Sequence, residues 1–339
     1  MTSQSGTVPK PDYYERNAEL GKEIIEGLFR EKQIVALAGA FGMGKTPALC
    51  DLAVRLIRNL PWCGRRVTGR RVVVFDLESP APMYKQNVLN ISHRLDVARP
   101  QVPDELDAHL LLDDAHEAGT EKLLVALEGK PEDRLALIKN ALQPKPNALV
   151  IIDPVEVMFP IDKMKGRHIL WLYKQLRILL SEFPEAAFLL TFNLRKRDRK
   201  NSVQPKLLSD PRSWLEEVSG TLDILNRCDV RLGLEMHSDD IRIVNGIRRG
   251  ETIHPLAIRP MEVSGNLAGF ELCGPHELDL LAALTSKQRE HLDNLPDEFR
   301  FDDVADKIVP RASLYRLLPL LKSLGVVDEI NGIYHKMLF

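Results

Sequence analysis

The chain has 339 residues, of which 44% are hydrophobic and 28% charged, and its formal net charge is −2. This composition predicts a globular protein of about two domains and excludes one that binds polyanions over its whole surface. The four cysteines are scattered and form no C-x-x-C pair, which argues against a zinc site and a disulfide framework and indicates the cytoplasm. No apolar run approaches the roughly 18 residues of a membrane span, which argues against a membrane protein.

The first 30 residues are predicted to contain a disordered lead followed by one helix. Residues 1–12 are polar and include two prolines, which indicates disorder. Helical periodicity then covers Tyr14–Arg30, with its apolar residues on one face. We assign a first domain to residues 13–274 and a second, smaller domain to residues 275–339.

A phosphate-binding loop is predicted directly after the apolar run Ile34–Ala38. The segment Gly39-Ala-Phe-Gly-Met-Gly-Lys-Thr46 matches G-x-x-x-x-G-K-[ST] and stands between a predicted strand and a predicted helix. Lys45 is expected to reach the β- and γ-phosphates of ATP, the Thr46 hydroxyl to bind Mg²⁺, and Pro47 to fit the first helical turn. The predicted nucleotide-binding residues are Gly39, Gly42, Met43, Gly44, Lys45, Thr46 and Pro47.

Apolar runs alternate with helical segments along the first domain. The predicted strands are Ile34–Ala38, Val72–Leu77, Leu149–Ile152, Ala187–Phe192, Val230–Leu234 and Ile241–Val244, and the predicted helices are 47–60, 82–95, 131–142, 165–182 and about 210–226. Because the runs are continuous rather than alternating, the strands are expected to be buried on both faces. This predicts an α/β fold with a mostly parallel central sheet, in which the later strands are antiparallel.

Two acidic residues at predicted strand ends are candidates for the chemistry. Asp153 ends the run Leu149–Ile152, which is a Walker B pattern and predicts a carboxylate that holds Mg²⁺ through water. Glu78 lies just past the strand that follows the P-loop helix, where it could deprotonate the attacking water. Asp76 competes for that role, although its place within the strand suits a structural one, and a ribose-binding or surface acid is the alternative for Glu78.

The segment after residue 275 predicts three helices and a terminal hairpin. The predicted helices are Lys287–Leu295 (preceded by Leu278–Leu284), Phe301–Ile308 and Ser313–Leu324, and Asn331-Gly332 is a two-residue hairpin signal. This order is typical of a winged-helix module, and a plain helical lid on the ATPase is the alternative. Ser313–Leu324 would be the module's recognition helix, with Arg311, Arg316 and Lys322 on or beside it. The nearby acidic residues make a protein contact a rival to DNA binding; they are Asp297, Glu298, Asp302 and Asp303.

The motifs together resemble those of the RecA-like ATPases, and among them the RepA-type hexameric replicative helicases of plasmids and mobile elements. The resemblance covers about residues 15–260 and is carried by the segments Val72–Pro80, Leu149–Pro154, Leu189–Lys196, Val218–Asp223 and Cys228–Leu232. It implies a RecA-like core in which Lys45 and Thr46 bind ATP and Mg²⁺, Asp153 is the Walker B acid and Glu78 is the catalytic base.

The chain departs from that family at two places. The family's His-His before Leu-x-Lys is replaced by Phe192-Asn193, and the Asn193 amide could still sense the γ-phosphate. Of the family's Lys-x-Arg pair, only an arginine remains, as Arg248 or as Arg249 in a shifted register. The resemblance implies that this arginine enters the neighbouring subunit's site, and a surface arginine is the alternative.

Basic residues mark two segments of the first domain. The first comprises Arg65-Arg66 and Arg70-Arg71, which are expected to be merely solvated. The second follows the fourth main strand, in a loop that faces the central channel of RecA-like ATPases, so it is expected to neutralise DNA phosphates unless it is only a solvated turn. The predicted nucleic-acid-binding residues are Arg195, Lys196, Arg197, Arg199 and Lys200.

The sequence therefore predicts an oligomeric ATP-driven helicase or translocase that acts on single-stranded DNA, and the resemblance implies that the oligomer is a hexamer. An ATP-switched DNA-binding regulator or assembly factor of a mobile element, which unwinds nothing, is the second hypothesis. The second domain would then contact DNA or a protein partner. A scaffold with a vestigial nucleotide site and a small-molecule kinase fit the motifs less well.

Overall fold

The computed structural model describes residues 21–95, 103–112, 123, 125–160, 166–195, 205–218, 223–238, 240–248, 251–263, 265–273 and 284–337. Its strands are β1 Glu23–Ile25, β2 Phe29–Arg30, β3 Ile34–Gly39, β4 Arg71–Pro80, β5 Leu106–Leu112, β6 Ala148–Asp153, β7 Ala187–Asn193, β8 Val230–Met236, β9 Arg242–Arg248, β10 Glu251–Val263, β11 Asn266–Leu272, β12 Glu298–Phe299, β13 Val327–Ile330 and β14 Ile333–Lys336. Its helices are α1 Lys45–Arg58, α2 Ala81–Leu95, α3 Pro131–Leu142, α4 Val155–Met158, α5 Gly166–Glu182, α6 Pro211–Leu215, α7 Asp223–Asn226, α8 Ser286–Asn294, α9 Phe301–Val304 and α10 Arg311–Ser323.

A nine-stranded sheet in the order β11-β10-β9-β8-β3-β7-β6-β4-β5 forms the centre of the fold. The six strands from β8 to β5 run parallel, and β9, β10 and β11 continue the sheet antiparallel, which confirms both predictions. Strand β7 is inserted between β3 and β6. The carboxyl ends of β3, β7, β6 and β4 therefore meet along one edge of the sheet, where α/β proteins bind ligands.

Burial on both faces explains why the central strands lack polar alternation. All six residues of β3 and all six of β6 are buried. In β3, Ile34, Ala36 and Ala38 pack into one apolar cluster, and Val35 and Leu37 pack into the cluster on the opposite face. Since each face is covered by helices, neither can carry polar side chains at low cost.

The predicted helix Tyr14–Arg30 is wrong over its described part. Residues 22–30 form the antiparallel hairpin β1–β2 instead, and Gly27 takes a φ of 67° in its turn. The apolar residues that suggested one helical face are buried in the hairpin, because the neighbouring pairs Ile24–Ile25 and Leu28–Phe29 all pack inward. The lead at residues 1–12 lies outside the described residues.

The sequence missed the long strands β10 and β11. Pro255 and Pro260 interrupt the pattern of β10, and the pairing shifts register beside each of them, which is where a strand tolerates proline. The β10–β11 hairpin brings Phe270 over the phosphate-binding loop, where a Cβ on Gly44 would lie 3.8 Å from its ring. Strand β11 therefore packs against the predicted nucleotide site through Phe270.

An ion-pair cluster fixes this hairpin to the first two helices. The Asp51 carboxylate is buried and lies 2.9 Å from the Arg55 guanidinium and 3.7 Å from that of Arg94. Both arginines also donate to the backbone carbonyl of Phe270. The cluster joins α1, α2 and β11, so the position of the phosphate-binding loop depends on all three.

The predicted solvated arginines prove to be of different kinds. Arg66 is exposed and pairs with Glu26 at 2.7 Å, but the side chain of Arg70 has no exposed surface and donates to the Glu185 carbonyl, with Glu31 at 3.5 Å. Arg71 pairs with Asp107. The prediction is therefore wrong for Arg70 and Arg71, because these arginines stabilise the amino-terminal edge of the sheet.

Two further helix predictions are corrected by the structure. The predicted helix over about 210–226 is two short helices, α6 and α7, and the predicted helix Phe301–Ile308 ends at Val304. In the second case Asp306 adopts a φ of 60°, which a helix cannot continue through. Leu278 to Ala283 lie outside the described residues.

The C-terminal residues run in the order helix, strand, two helices and hairpin. Strands β12, β14 and β13 form a small antiparallel sheet, and Asn331 and Gly332 both have positive φ, which is the two-residue turn that their sequence predicted. Pro319 lies inside α10. This order agrees with a winged-helix module, and that assignment and its boundary at residue 275 stay predictions.

Candidate functional site

The loop between β3 and α1 is shaped by glycines in left-handed conformations. Gly42 and Gly44 have φ values of 79° and 87°, which other residues adopt only at a cost. Gly44 caps α1, no side chain bonds to the helix start, and the first turn has no acidic residue. The first backbone N–H groups of α1 therefore keep their capacity to bind an anion, as a phosphate requires.

Lys45 lies at the centre of this edge of the sheet. Its Nζ donates to the carbonyls of Gly39 (2.9 Å) and Ala40 (3.1 Å) and to the Asn193 Oδ1 (2.9 Å). Burial lowers the pKa of Lys45, while the charges of Asp153, Glu78 and Glu156 act in the opposite direction. A partly desolvated ammonium group beside a glycine loop is a strong electrostatic partner for phosphate oxygens.

Thr46 and Asp153 contact each other directly. The Thr46 hydroxyl donates to Asp153 Oδ2 at 2.6 Å, and the Thr191 hydroxyl donates to Asp153 Oδ1 at 2.5 Å. The second bond is possible because β7 lies beside β6, so Thr191 is held next to the strand-end carboxylate. The result is a carboxylate of fixed orientation beside the hydroxyl of Thr46, the residue that follows Lys45.

The residues at this edge fit a bound Mg²⁺. A hydroxyl and a carboxylate are hard oxygen ligands, and Mg²⁺ usually binds one or two such groups together with phosphate oxygens and water. Among the described residues, no group of three or more His, Cys, Asp or Glu side chains could hold a metal ion without such help. The donor set therefore suits a cation that arrives with a nucleotide.

Glu78 is exposed and lies near the carboxyl end of β4, which is longer than predicted and runs on to Pro80. Partial burial raises the pKa of Glu78, and the charges of Asp153 and Glu156 raise it further, whereas Lys45 opposes the shift. A carboxylate whose affinity for a proton is increased is a better general base near neutral pH.

Asp76 has a different role from Glu78. Its carboxylate has no exposed surface and its Oδ1 accepts hydrogen bonds from the backbone N–H groups of Glu78 (3.1 Å) and Ser79 (2.8 Å). Burial raises the pKa of Asp76. It shapes the strand end that carries Glu78, so we interpret Asp76 as a positioning residue.

Asp76→Ala is expected to destabilise the protein by about 2–4 kcal/mol, because the buried N–H of Ser79 and the partly buried N–H of Glu78 lose their acceptor. Asp76→Asn keeps the amide oxygen as acceptor and should retain most of this stability. Folding raises the pKa of Asp76. The free energy of unfolding of the wild type therefore falls as the pH rises from below the pKa of Asp76 in the unfolded chain to above its pKa in the folded protein. Asp76→Asn lacks this fall. Urea unfolding at pH 4 and pH 7 measures both effects, and equal stability of Asp76→Ala and wild type would contradict the role.

Of the remaining predicted residues, Arg248 lies away from this edge, Arg195 follows the carboxyl end of β7, and the others lie outside the described residues. Arg248 ends β9 and pairs with Val230, at the amino-terminal end of β8, so it lies at the opposite edge of the sheet from Lys45. Arg195 is exposed and its Nε donates to the Val218 carbonyl. The predicted residues outside the described part are Lys196, Arg197, Arg199, Lys200 and Arg249.

Sequence reasoning missed two residues at the site, Thr191 and Glu156. Thr191 is a polar residue in an otherwise apolar run, two positions before Asn193 and thus on the same face of β7. That alternation was a usable signal. Glu156 lies in the short helix α4 directly after the strand end, and only the fold places its charge beside Glu78 and Lys45.

Comparison with known proteins gives a family match and likenesses among solved structures. The model of the family described as AAA domain matches residues 16–199, just over half of the chain. No curated protein matches the chain. A solved structure whose title describes an ATPase domain is similar, with 13% sequence identity and a TM-score of 0.46, over 76% of this chain and 95% of that one. In the described residues, no helix is both long and apolar enough to cross a bilayer.

Proposed function

The chain belongs to the AAA domain family, as predicted from its P-loop ATPase motifs, and from this we propose that it hydrolyses Mg²⁺-ATP as an oligomeric motor on single-stranded DNA, of the RepA helicase type. One observation carries the ATPase proposal. The phosphate-binding lysine contacts Asn193, and the adjoining Thr46 contacts Asp153, so residues from three neighbouring strands surround one loop.

ATP would bind with its phosphates in the loop between Gly39 and Thr46. The N–H groups at the start of α1 and the Lys45 ammonium group would hold the β- and γ-phosphates. On binding, Lys45 would exchange the carbonyls of Gly39 and Ala40 for phosphate oxygens. Mg²⁺, held by Thr46 and Asp153, would neutralise charge that develops on the phosphates.

Glu78 would act as the general base of hydrolysis. It would take the proton from the water that attacks the γ-phosphate, and its raised pKa suits this transfer. Asp76 holds the backbone beneath it. Asn193, which already contacts Lys45, would bond a γ-phosphate oxygen through its amide and so report hydrolysis to the loop that follows β7.

Arg248 would act on the site of a neighbouring copy. Because it lies at the opposite edge of the sheet from Lys45, it cannot serve the nucleotide of its own chain. An arginine supplied in trans contributes about 10³–10⁵ in rate where it has been measured. This placement supports a head-to-tail arrangement of subunits.

DNA would be held by the basic segment that begins at Arg195. Replacing Arg195, Lys196 and Arg197 with alanine is expected to weaken binding of a single-stranded oligonucleotide. It should also reduce the slope of log K against log salt by about two, since each lost phosphate contact on a single strand contributes about 0.7. Fluorescence anisotropy at several salt concentrations measures this, and an unchanged slope would remove the segment from the DNA site.

An ATP-switched regulator is the second candidate function. Two observations favour it: Asn193 replaces the family's histidine, and cations of the predicted recognition helix are paired with acids of the same chain, as Arg311 is with Asp302 at 3.1 Å. Such a protein would use hydrolysis to time assembly and would unwind nothing.

ATP hydrolysis by the purified protein, alone and with single- or double-stranded DNA, distinguishes the two. Strong stimulation by single strands is expected of a motor. Turnover that ignores DNA, or responds only to duplex, would overturn the motor and leave the regulator.

A further inference from the structure

A groove of about 450 Å³ separates the C-terminal residues from the edge of the central sheet. Its walls include the rings of Phe301, Tyr315 and Tyr334, the apolar side chains of Leu318 and Pro319 on α10, and His254 of β10. We call this the C-terminal groove. Tyr315 is 62% exposed although its ring contacts that of Phe301 in a tilted arrangement, with the centroids 4.6 Å apart, so aromatic surface remains open to a partner.

The charges along this groove leave an acidic excess at Asp328. Lys322 and Glu329 also line it and pair with each other at 2.7 Å, so their charges cancel. Arg311, at the start of α10, is held by Asp302 and Asp306 at 3.1 and 3.3 Å. Two of the three cations of α10 are thus paired within the chain, which disfavours a phosphate backbone and favours a partner that is apolar and basic.

A surface of matching character lies on α5 of the same chain. Leu170 and Ile178 are 50% and 43% exposed, and Lys174 lies between them at helical spacing, so the three share one face. Arg177, beside them, is also exposed and pairs with Asp229. We call Leu170, Lys174, Arg177 and Ile178 the α5 patch.

The α5 patch does not line the C-terminal groove of its own chain. Arg177 of the patch pairs with Asp229, directly before β8, whereas the groove is bounded by β10, and β9 lies between these two strands. Two strand spacings correspond to about 10 Å. The patch and the groove are therefore separate surfaces, which two copies of the chain can bring together.

We propose that the α5 patch of one copy of this protein docks in the C-terminal groove of the next copy. The lengths agree, since Leu170 to Ile178 spans about 12 Å of helix and Tyr315 to Lys322 about 10 Å. Leu170 and Ile178 cover the exposed ring of Tyr315, and Lys174 meets Asp328. Such a contact is head-to-tail and repeats, which gives a ring or a filament. It rests on the oligomer in the proposed function and names the surfaces that build it.

Charge reversal tests this contact in the absence of nucleotide and DNA. In sedimentation equilibrium, the wild type is expected to self-associate, and Lys174→Glu and Asp328→Lys should each weaken association by about fivefold or more. Both residues are exposed, so the fold should persist, which circular dichroism checks. Lys145→Glu, the same charge change as Lys174→Glu at an exposed residue outside both surfaces, should associate as the wild type does.

Mixing the two single variants gives the sharper result. The unchanged groove of Lys174→Glu can still pair with the unchanged helix of Asp328→Lys, and the two changed surfaces also carry opposite charges. An equimolar mixture should therefore form heterodimers and larger assemblies in which the two variants alternate. The double variant Lys174→Glu/Asp328→Lys should regain self-association. A wild type that stays monomeric, single variants that associate normally, or a mixture without heterodimers would each overturn the proposal.

A synthetic peptide of residues 166–182 identifies the occupant of the groove. It should bind the full chain and lose affinity for Asp328→Lys. If an oligonucleotide displaces the peptide from the groove, or if the peptide binds Asp328→Lys as well as the wild type, the groove has another occupant and the proposal fails. ATPase activity of a protein that does not associate would show that the contact, and not the catalytic proposal, is wrong.

Discussion

Lys45→Ala is expected to reduce ATP hydrolysis by at least about 100-fold, the loss that follows removal of one strong transition-state donor. The ammonium group is largely desolvated and lies within hydrogen-bond distance of the Gly39 and Ala40 carbonyls and the Asn193 amide. Its removal leaves the carboxylates of Asp153, Glu78 and Glu156 without the cation that faces them. Phosphates would then meet a negatively charged edge.

The fold should tolerate this change, because Lys45 begins α1 and alanine is the best helix former. Steady-state phosphate release measures the loss, and thermal unfolding confirms that the protein is intact. Lys145→Ala, in an exposed turn, is the matched control and should hydrolyse ATP normally. Turnover of Lys45→Ala within a factor of about two of the control would contradict the assignment of the phosphate-binding loop.

Glu78→Gln is expected to keep ATP binding and to lose turnover by about 10²–10⁴-fold. The amide has the shape of the carboxylate but cannot accept the proton of the attacking water. Binding should be unchanged or tighter, because a negative charge next to the phosphates is removed. Binding of a fluorescent ATP analogue and single-turnover hydrolysis, measured on the same sample, separate the two effects.

Glu156→Gln is the control for the base, since Glu156 carries the same charge beside the same lysine. It should retain turnover. Its charge raises the pKa of Glu78, so the acid limb of the pH–rate profile, along which activity falls as Glu78 is protonated, should move to lower pH in this variant. If Glu156→Gln loses turnover and Glu78→Gln does not, the base is Glu156.

The phosphate-binding edge could be predicted from sequence because each of its parts is local. A strand, a glycine loop and a helix start are contiguous in residues 34–58, and Asp153 is marked by the apolar run before it. Their meeting follows from one rule, that carboxyl ends of parallel strands share an edge. Thr191 was missed because its role depends on which strand lies beside β6, and strand order is not a local property.

The predictions that were wrong also have physical explanations. The pattern of residues 14–30 was ambiguous, because pairs of apolar residues separated by two positions satisfy a helix and a tight hairpin alike, and packing against the sheet decides between them. Arg70 looks like a surface residue in sequence, but the fold surrounds it with Glu31 and the Glu185 carbonyl. A charged side chain can be buried wherever tertiary structure supplies its partners.

The pairing of β3 with β8 has a consequence for any attempt to isolate the catalytic part. The family match ends at residue 199, but β8 begins at Val230 and pairs with five residues of β3, from Val35 to Gly39. Asp229 also accepts a hydrogen bond from the Ile34 N–H. A fragment that stops at residue 199 would expose a flat apolar strand with unsatisfied backbone groups, which invites aggregation. The smallest piece that could be grafted or expressed with an intact phosphate-binding loop must therefore include β8 and, through Phe270, the hairpin that follows it.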